Sequence, residues 1–257
     1  MKRLIIRADD LGISEAVTAG CLSAAEYGVV TCMGMIVNME ASPSAARLIK
    51  GYPDICLGLH LNLIVGTPCA EGKELKGLTD ENGRFICSRI RREQVAAGED
   101  PFIYEEVYEE AEAQVKRFME LNGKLPEYMD SHSVSTPVMT RAVLKVAEKY
   151  GIRYVPISGN QNVCWKRVGN RPVQYEFYKT GLPFSKYLDE DTMQIEDGEI
   201  GLFVLHPGFL DQKILDISGM TFERLKDHEF LVDSEVKRRL EELGIKPISF
   251  RDLNCES

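Results

Sequence analysis

The sequence predicts an α/β fold, a modified (β/α) TIM-like barrel of about seven parallel strands, with residues 1–257 as a single domain. Three observations predict it. Strand-like apolar runs alternate with helix-like amphipathic ones along the chain. The turns between them are mostly short and marked by Gly and Pro. No GxGxxG turn follows the first strand, which favours a barrel over an open dinucleotide-binding sheet, although periodicity alone does not separate the two.

Taken in order, Leu4–Ala8 reads as a strand. "SEAVTAGCLSAAEYG" reads as a helix with Ser14 as N-cap and Gly28 as its stop. Val29–Asn38 is again strand-like, and "SPSAARLIKGY" starts a helix with Ser42 as cap and Pro43 in its first turn. Ile55–Leu63 is a strand. Residues 64–100 are less regular and carry the turn "DENG". The longest predicted helix is Tyr104–Gly123, with Val107, Ala111, Val115, Phe118 and Met119 at helical spacing. "PEYMDSH" ends a strand, "PVMTRAVLKVAEKYG" is a helix stopped by Gly151, and "IRYVPI" is a strand. Residues 158–198 show no clear period. "EIGLFVLHPG" is a strand, "DSEVKRRLEELG" a helix, and "KPISFRDL" the last strand.

Composition narrows the function. A chain that is 44% hydrophobic can bury a sizeable core. A net charge of −9 argues against a nucleic-acid partner. The basic stretch "SRIRRE" (Ser88–Glu93) reads as a solvated loop or helix face. No apolar run approaches membrane-spanning length, and the basic start meets charges too soon for a signal peptide, so the expectation is a cytoplasmic protein without a membrane partner. The seven cysteines are scattered and form no CxxC, which reads as reduced thiols and not a disulfide framework.

The polar residues are phased. Three of four histidines end strand-like runs: His60 in "GLHLN", His132 in "DSHSV" and His206 in "VLHPG". Asp9, Asp10 and Asp130 also stand at strand ends, where parallel α/β folds carry their active face. Strand alternation puts Gly58, His60 and Asn62 on one face, and Tyr128, Asp130 and His132 on another common face. Imidazoles with a carboxylate can hold a divalent metal, and Asp130 can act as a turn former or an acceptor orienting His132. Spacing alone leaves both readings open, a metal site or satisfied packing residues. His228 lacks a strand-end context and reads as surface. Adjacent carboxylates at Asp9 and Asp10 repel and are costly to bury, which a nearby cation would relieve.

In order along the chain, "ADDLG", "GLHLNL…GTP", "LTDENGRF", "EYMDSH", "LHPGF", "ERLKD" and "ISFRDL" resemble the YdjC-like carbohydrate deacetylases, a family that includes the chitooligosaccharide deacetylases. The resemblance spans Arg3 to Leu253. It implies a modified (β/α) barrel that removes the acetyl group from an N-acetylated sugar, a chitooligosaccharide or a related and optionally 6-phosphorylated one, with a divalent ion. Carried over, Asp10, His60 and His132 resemble the metal ligands, Asp9 the general base, and His206 the acid that protonates the leaving amine. The resemblance favours Mg2+, whereas two imidazoles and a carboxylate also suit Zn2+ or another transition metal. It leaves a homodimer open. The chain departs from the family at Arg7, where "NADD" is common, and at Ser133, where the family has His or Gln after "DSH"; a residue lining the sugar site is thereby absent. The alternatives are a metal-dependent phosphoesterase or amidohydrolase on a similar barrel, and a non-catalytic sugar-binding protein. The first strand lacks the HxH pair usual in amidohydrolases.

Overall fold

The computed structural model describes residues 1–156, 164–169 and 171–253. In chain order its elements are β1 (Lys2–Leu11), α1 (Glu15–Tyr27), β2 (Cys32–Met35), α2 (Ser42–Leu48), β3 (Cys56–Leu61), α3 (Ser88–Ala96), α4 (Tyr104–Asn122), β4 (Tyr128–Ser131) and α5 (Pro137–Tyr150). There follow β5 (Arg153–Tyr154), β6 (Lys166–Arg167), α6 (Arg171–Tyr178), α7 (Glu190–Met193), β7 (Ile200–Leu205), α8 (Gln212–Ile217), α9 (Phe222–Val232), α10 (Ser234–Glu242) and β8 (Ile245–Ile248).

All eight strands join one sheet in the order β5-β4-β3-β2-β1-β7-β6, with β8 added against β1. Every pairing is parallel. β1 is the organising strand. One edge pairs β7 over Arg3–Ala8; the other pairs β8 over Lys2–Ile5 and then β2 from Arg7 on. The α/β barrel-like class thus holds, with no pairing between β5 and β6 among the described residues.

Alternation along the strands splits the core into two layers. Leu4, Ile6, Ala8, Met33, Leu57, Leu59 and Met129 pack outward under the helices. Ile5, Cys32, Cys56, Tyr128, Leu202, Val204, Ile248 and Phe250 pack inward and fill the lower interior of the barrel. Below them, Arg251 donates to Glu127 and to the carbonyls of Pro53, Asp54 and Ile55, closing the base.

Local signals explain the helix ends. Ser14 Oγ accepts from Val17 N, and Thr136 Oγ1 from Met139 N, each satisfying an orphan donor. Gly123 and Gly151 end α4 and α5 with φ of 73° and 64°, which a side chain would oppose. The Ser42 expectation shifts by one position: Ala41 caps α2, and Ser42 Oγ instead accepts from Met39 N.

Several expectations need correction. β1 runs longer than the expected Leu4–Ala8, but most other strands are shorter than the apolar runs suggested, because the flanking apolar residues pack as loops; Val29–Asn38 contains only β2. The final run divides into β8 and a single helical turn at Phe250–Asp252. The basic stretch forms α3, where Arg91 is buried and donates to Pro101 O at 3.1 Å, so it is more than a solvated face. His228 is half-buried, 2.9 Å from Ser23 Oγ and packed on Phe209. Cys21, Cys32, Cys56, Cys69 and Cys87 are free thiols, but Cys164 is disulfide-bonded; scattered spacing carries no information about pairing in space. Cys255 lies outside the described residues. Among the described residues no helix is long and apolar enough to cross a membrane.

Candidate active site

The inward face of the strands changes character toward their C-terminal ends. On β1, Ile5 is followed by Arg7 and Asp9; on β3, Cys56 by Gly58 and His60; on β4, Tyr128 by Asp130. The register aligns His60 directly with Asp130. Residues separated by more than a hundred positions therefore meet at one level of the barrel.

Asp10 should point outward if β1 alternated to its end. It does not alternate. The β1–β2 register shifts between Ala8 and Leu11, and Asp10 has a φ of 76°. Such an irregularity turns a side chain, and Asp tolerates the left-handed region better than most residues. Both carboxylates thereby reach the same centre.

Gly34 on β2 makes room for it. A Cβ there would stand 2.7 Å from Asp9 Oδ1 and 3.2 Å from His60 Cβ. Asp9 fills the space above a residue that has no side chain.

Asp10 Oδ1 lies 2.9 Å from His132 Nδ1 and 3.3 Å from His60 Nε2, and the two ring nitrogens are 3.1 Å apart. The other oxygen, Oδ2, accepts from Arg224 Nη2 at 2.7 Å. His60 Nδ1 lies 3.0 Å from Asp130 Oδ1. Asp130 thus supports His60, and not His132 as expected, because the β3–β4 register sets the two side by side. Arg7 Nη2 bridges Asp9 Oδ2 and Asp130 Oδ2, each at 2.7 Å, and its guanidinium sits 5.8 Å above the Tyr128 ring.

All of these groups except His132, which is partly exposed, are essentially buried. Three carboxylates (Asp9, Asp10, Asp130) face two guanidiniums (Arg7, Arg224), so the centre is one positive charge short when the imidazoles are neutral. Burial, the largest influence on Asp9, pushes its carboxyl above the ordinary range, with Arg7 opposing. Burial also acts to raise Asp10, but His132 and Arg224 overcome it and hold that carboxyl well below the ordinary range. For Asp130, burial is outweighed by Arg7 and His60, and its carboxyl is lowered. Burial disfavours a charged His60, yet Asp130 and Asp9 hold its imidazolium well above the ordinary histidine range.

The donor set fits a divalent cation. Asp10, His60 and His132 offer one carboxylate oxygen and two ring nitrogens in mutual reach, and Oδ1, the oxygen that Arg224 leaves free, is the one that faces both rings. Once His60 gives up a proton to an incoming ion, Asp130 can keep the remaining one on Nδ1 and leave the Nε2 lone pair facing the centre.

A cleft of about 690 Å³ opens over this centre. Asp10, His132 and His206 line it, while Asp9, His60 and Asp130 lie one layer below. His206 follows β7, and its backbone N–H donates to Asp227 Oδ2 at 2.7 Å. Asp227 Oδ1 accepts from Tyr178 at 2.7 Å. The irregular stretch 64–100 supplies part of the rim through Arg84, Phe85 and Arg92. Arg92 also donates to Ser133, itself in the left-handed region with a φ of 67°.

Four participants went unassigned in the sequence: Arg7, Arg92, Arg224 and Asp227. Arg7 was legible, since it stands two positions before Asp9 on the same strand face. Arg224 and Asp227 lie three apart in the helical motif "ERLKD", a spacing that puts them on one face.

A half-open parallel barrel carrying an Asp/His cluster that could hold a metal ion at the C-terminal ends of its strands defines the general class: an α/β barrel with a polar, metal-competent mouth. Residues 3–242 match the YdjC-like protein family, and the chain belongs to that family. It is 32% identical over 262 residues to carbohydrate deacetylase 2 of Listeria innocua serovar 6a, covering 98% of both chains. It is 30% identical to a carbohydrate deacetylase of Brevibacillus brevis, covering 98% of this chain and 99% of the relative. Among solved structures, one from Enterococcus faecalis V583, provisionally assigned to cellobiose-phosphate cleavage, superposes with a TM-score of 0.73 at 26% identity over 97% of this chain and 98% of that one. A peptidoglycan N-acetylglucosamine deacetylase shares the fold at a TM-score of 0.50 and 9% identity, over 96% of this chain and 86% of that one.

Proposed function

We propose that the protein is a carbohydrate deacetylase that hydrolyses the acetamide of an N-acetylated sugar, releasing acetate and a free amine. The observation that carries the reading is the convergence of Asp10 Oδ1, His60 Nε2 and His132 Nδ1 within 2.9–3.3 Å of one another beneath an open cleft. The names of the full-length relatives support the same chemistry.

Asp10, His60 and His132 would hold one divalent cation, Mg2+ by resemblance or Zn2+ or another transition metal by donor type. When bound, the cation supplies Lewis acidity toward the acetyl carbonyl and toward water. Asp9 is suited to take a proton from water, because its Oδ1 has no hydrogen-bond partner and burial raises its proton affinity. Arg7 holds the other oxygen and so fixes which one is available. Asp130 orients His60. His206, on the cleft wall, is suited to give a proton to the departing amine. Its backbone is held by Asp227, which fixes where the ring enters the cleft.

The rim supports a sugar that carries negative charge. Arg84, Arg92 and Lys213 line the cleft beside Asp80 and Asp216, and the two rim arginines are the groups that a 6-phosphorylated sugar would answer. The test is acetate release from free and 6-phosphorylated N-acetylglucosamine oligomers, with metal analysis of the purified protein and phosphate release from a generic ester in parallel. Acetate release that needs a divalent ion is expected. Phosphate release without acetate, or sugar binding without turnover across a panel of metals, would overturn the reading.

A further inference from the structure

We propose that Arg224 is a positioning residue that restricts Asp10 to one-oxygen ligation and so sets which cations the centre accepts. This rests on the metal reading above. Arg224 is 1% exposed and is anchored twice: Nη2 donates to Asp10 Oδ2 at 2.7 Å, and Nε donates to Met220 O at 3.1 Å.

The aliphatic part of the arm is held as well. A Cβ on Gly208 would lie 3.3 Å from Arg224 Cδ, and Gly208 N–H donates to Arg224 O at 3.2 Å. The segment just after His206 therefore packs directly against this side chain. Three residues further along α9, Asp227 takes the backbone N–H of His206. One turn of α9 thus braces both the Asp10 carboxylate and the histidine that line the cleft.

The division of Asp10 is the central point. Oδ1 faces both imidazoles, while Oδ2 is occupied by a guanidinium. Large cations such as Ca2+ take six to eight oxygens and readily chelate both oxygens of one carboxylate, whereas smaller ions accept a single oxygen. A guanidinium seated on Oδ2 denies the second bond. Arg224 therefore biases the centre toward small ions and against large ones, independently of how tightly it binds either.

The experiment is calorimetric titration of the metal-stripped full chain with Mn2+ and with Ca2+, in wild type, Arg224→Met and Arg224→Lys, with circular dichroism of each. In Arg224→Met the preference for Mn2+ over Ca2+ should fall about tenfold, the scale on which groups supporting metal ligands act. Arg224→Lys should restore most of the preference, because an ammonium can still donate to Oδ2. Should Arg224→Met fail to fold, Arg224→Gln carries the same expectation. A preference within twofold of wild type in the folded Met or Gln variant overturns the inference, as does a Lys variant no different from them. Wild-type protein that binds neither ion removes the metal reading itself, and this inference with it.

Discussion

The upper and lower halves of the barrel interior are built from the same strands and have opposite chemistry. The lower half, around Ile5, Cys32, Cys56, Tyr128 and Phe250, is apolar and closed at its base by Arg251 and Glu127. The upper half, further along the same strands, holds Arg7, Asp9, His60 and Asp130. Charges this deep are expensive unless each is paired, and here nearly every one is held by an opposite charge or an imidazole. The lower half contributes stability through apolar burial; the upper half spends some of it to hold a reactive arrangement. The two should respond to mutation in opposite ways.

The sharpest break is expected in the upper half. His60→Ala and His132→Ala should each lose the divalent ion and acetate release together, by about a hundredfold or more; thermal unfolding of the metal-free protein should change little in the partly exposed His132 variant and fall in the His60 variant, which leaves Asp130 short of a partner. Metal content and acetate assays on the same preparations check this. His206→Ala should keep the ion and lower turnover by about 10²–10⁴-fold. A variant that lost metal as well would place His206 among the ligands.

Gly34→Ala sharpens the comparison from within. Its Cβ would press on Asp9 Oδ1 and His60, so activity should fall about tenfold or more, with a smaller loss of stability. A structure of the variant should show Asp9 displaced.

Acid affects both halves by different routes. His60 binds its proton more tightly than an ordinary histidine, and an incoming ion must displace it. Metal affinity should therefore be full above the raised histidine range and fall as pH drops through it, which calorimetry across pH will measure.

The smallest effect belongs to the base. Burial acts to raise the Glu127 carboxyl, but Arg251 and the Leu57 N–H outweigh it and lower it to about 2. A depressed carboxylate contributes stability above its unfolded range and loses it as pH falls toward 2. Arg251→Ala should cost about 1–3 kcal/mol near neutrality, with less of a further decline in acid, and should leave acetate release unchanged. Loss of activity in that variant would erase the contrast between the halves.

Much of this arrangement was legible in the sequence, because strand alternation is local. His60 and Asp130 were phased inward by counting along their own strands, and the register then set them side by side. What was not legible is what breaks local rules or depends on distance. Asp10 reaches the centre only through an irregularity in β1, which no periodicity announces. Arg224 comes from a helix more than two hundred residues away, and nothing near Asp10 in the sequence points to it. Asp130 was matched to the wrong histidine because pairing register, not sequence proximity, decides its neighbour. Short strands such as β6 were missed since two residues carry no period.

The shared edge of β1 has a consequence for how the chain comes to be folded. Lys2–Ile5 pair with Ile245–Ile248, so β1 needs a strand more than two hundred residues further along to complete its ladder. Until the two segments meet, half of that edge presents bare amides and carbonyls to its surroundings, an invitation to wrong partners. Such distant closure slows folding.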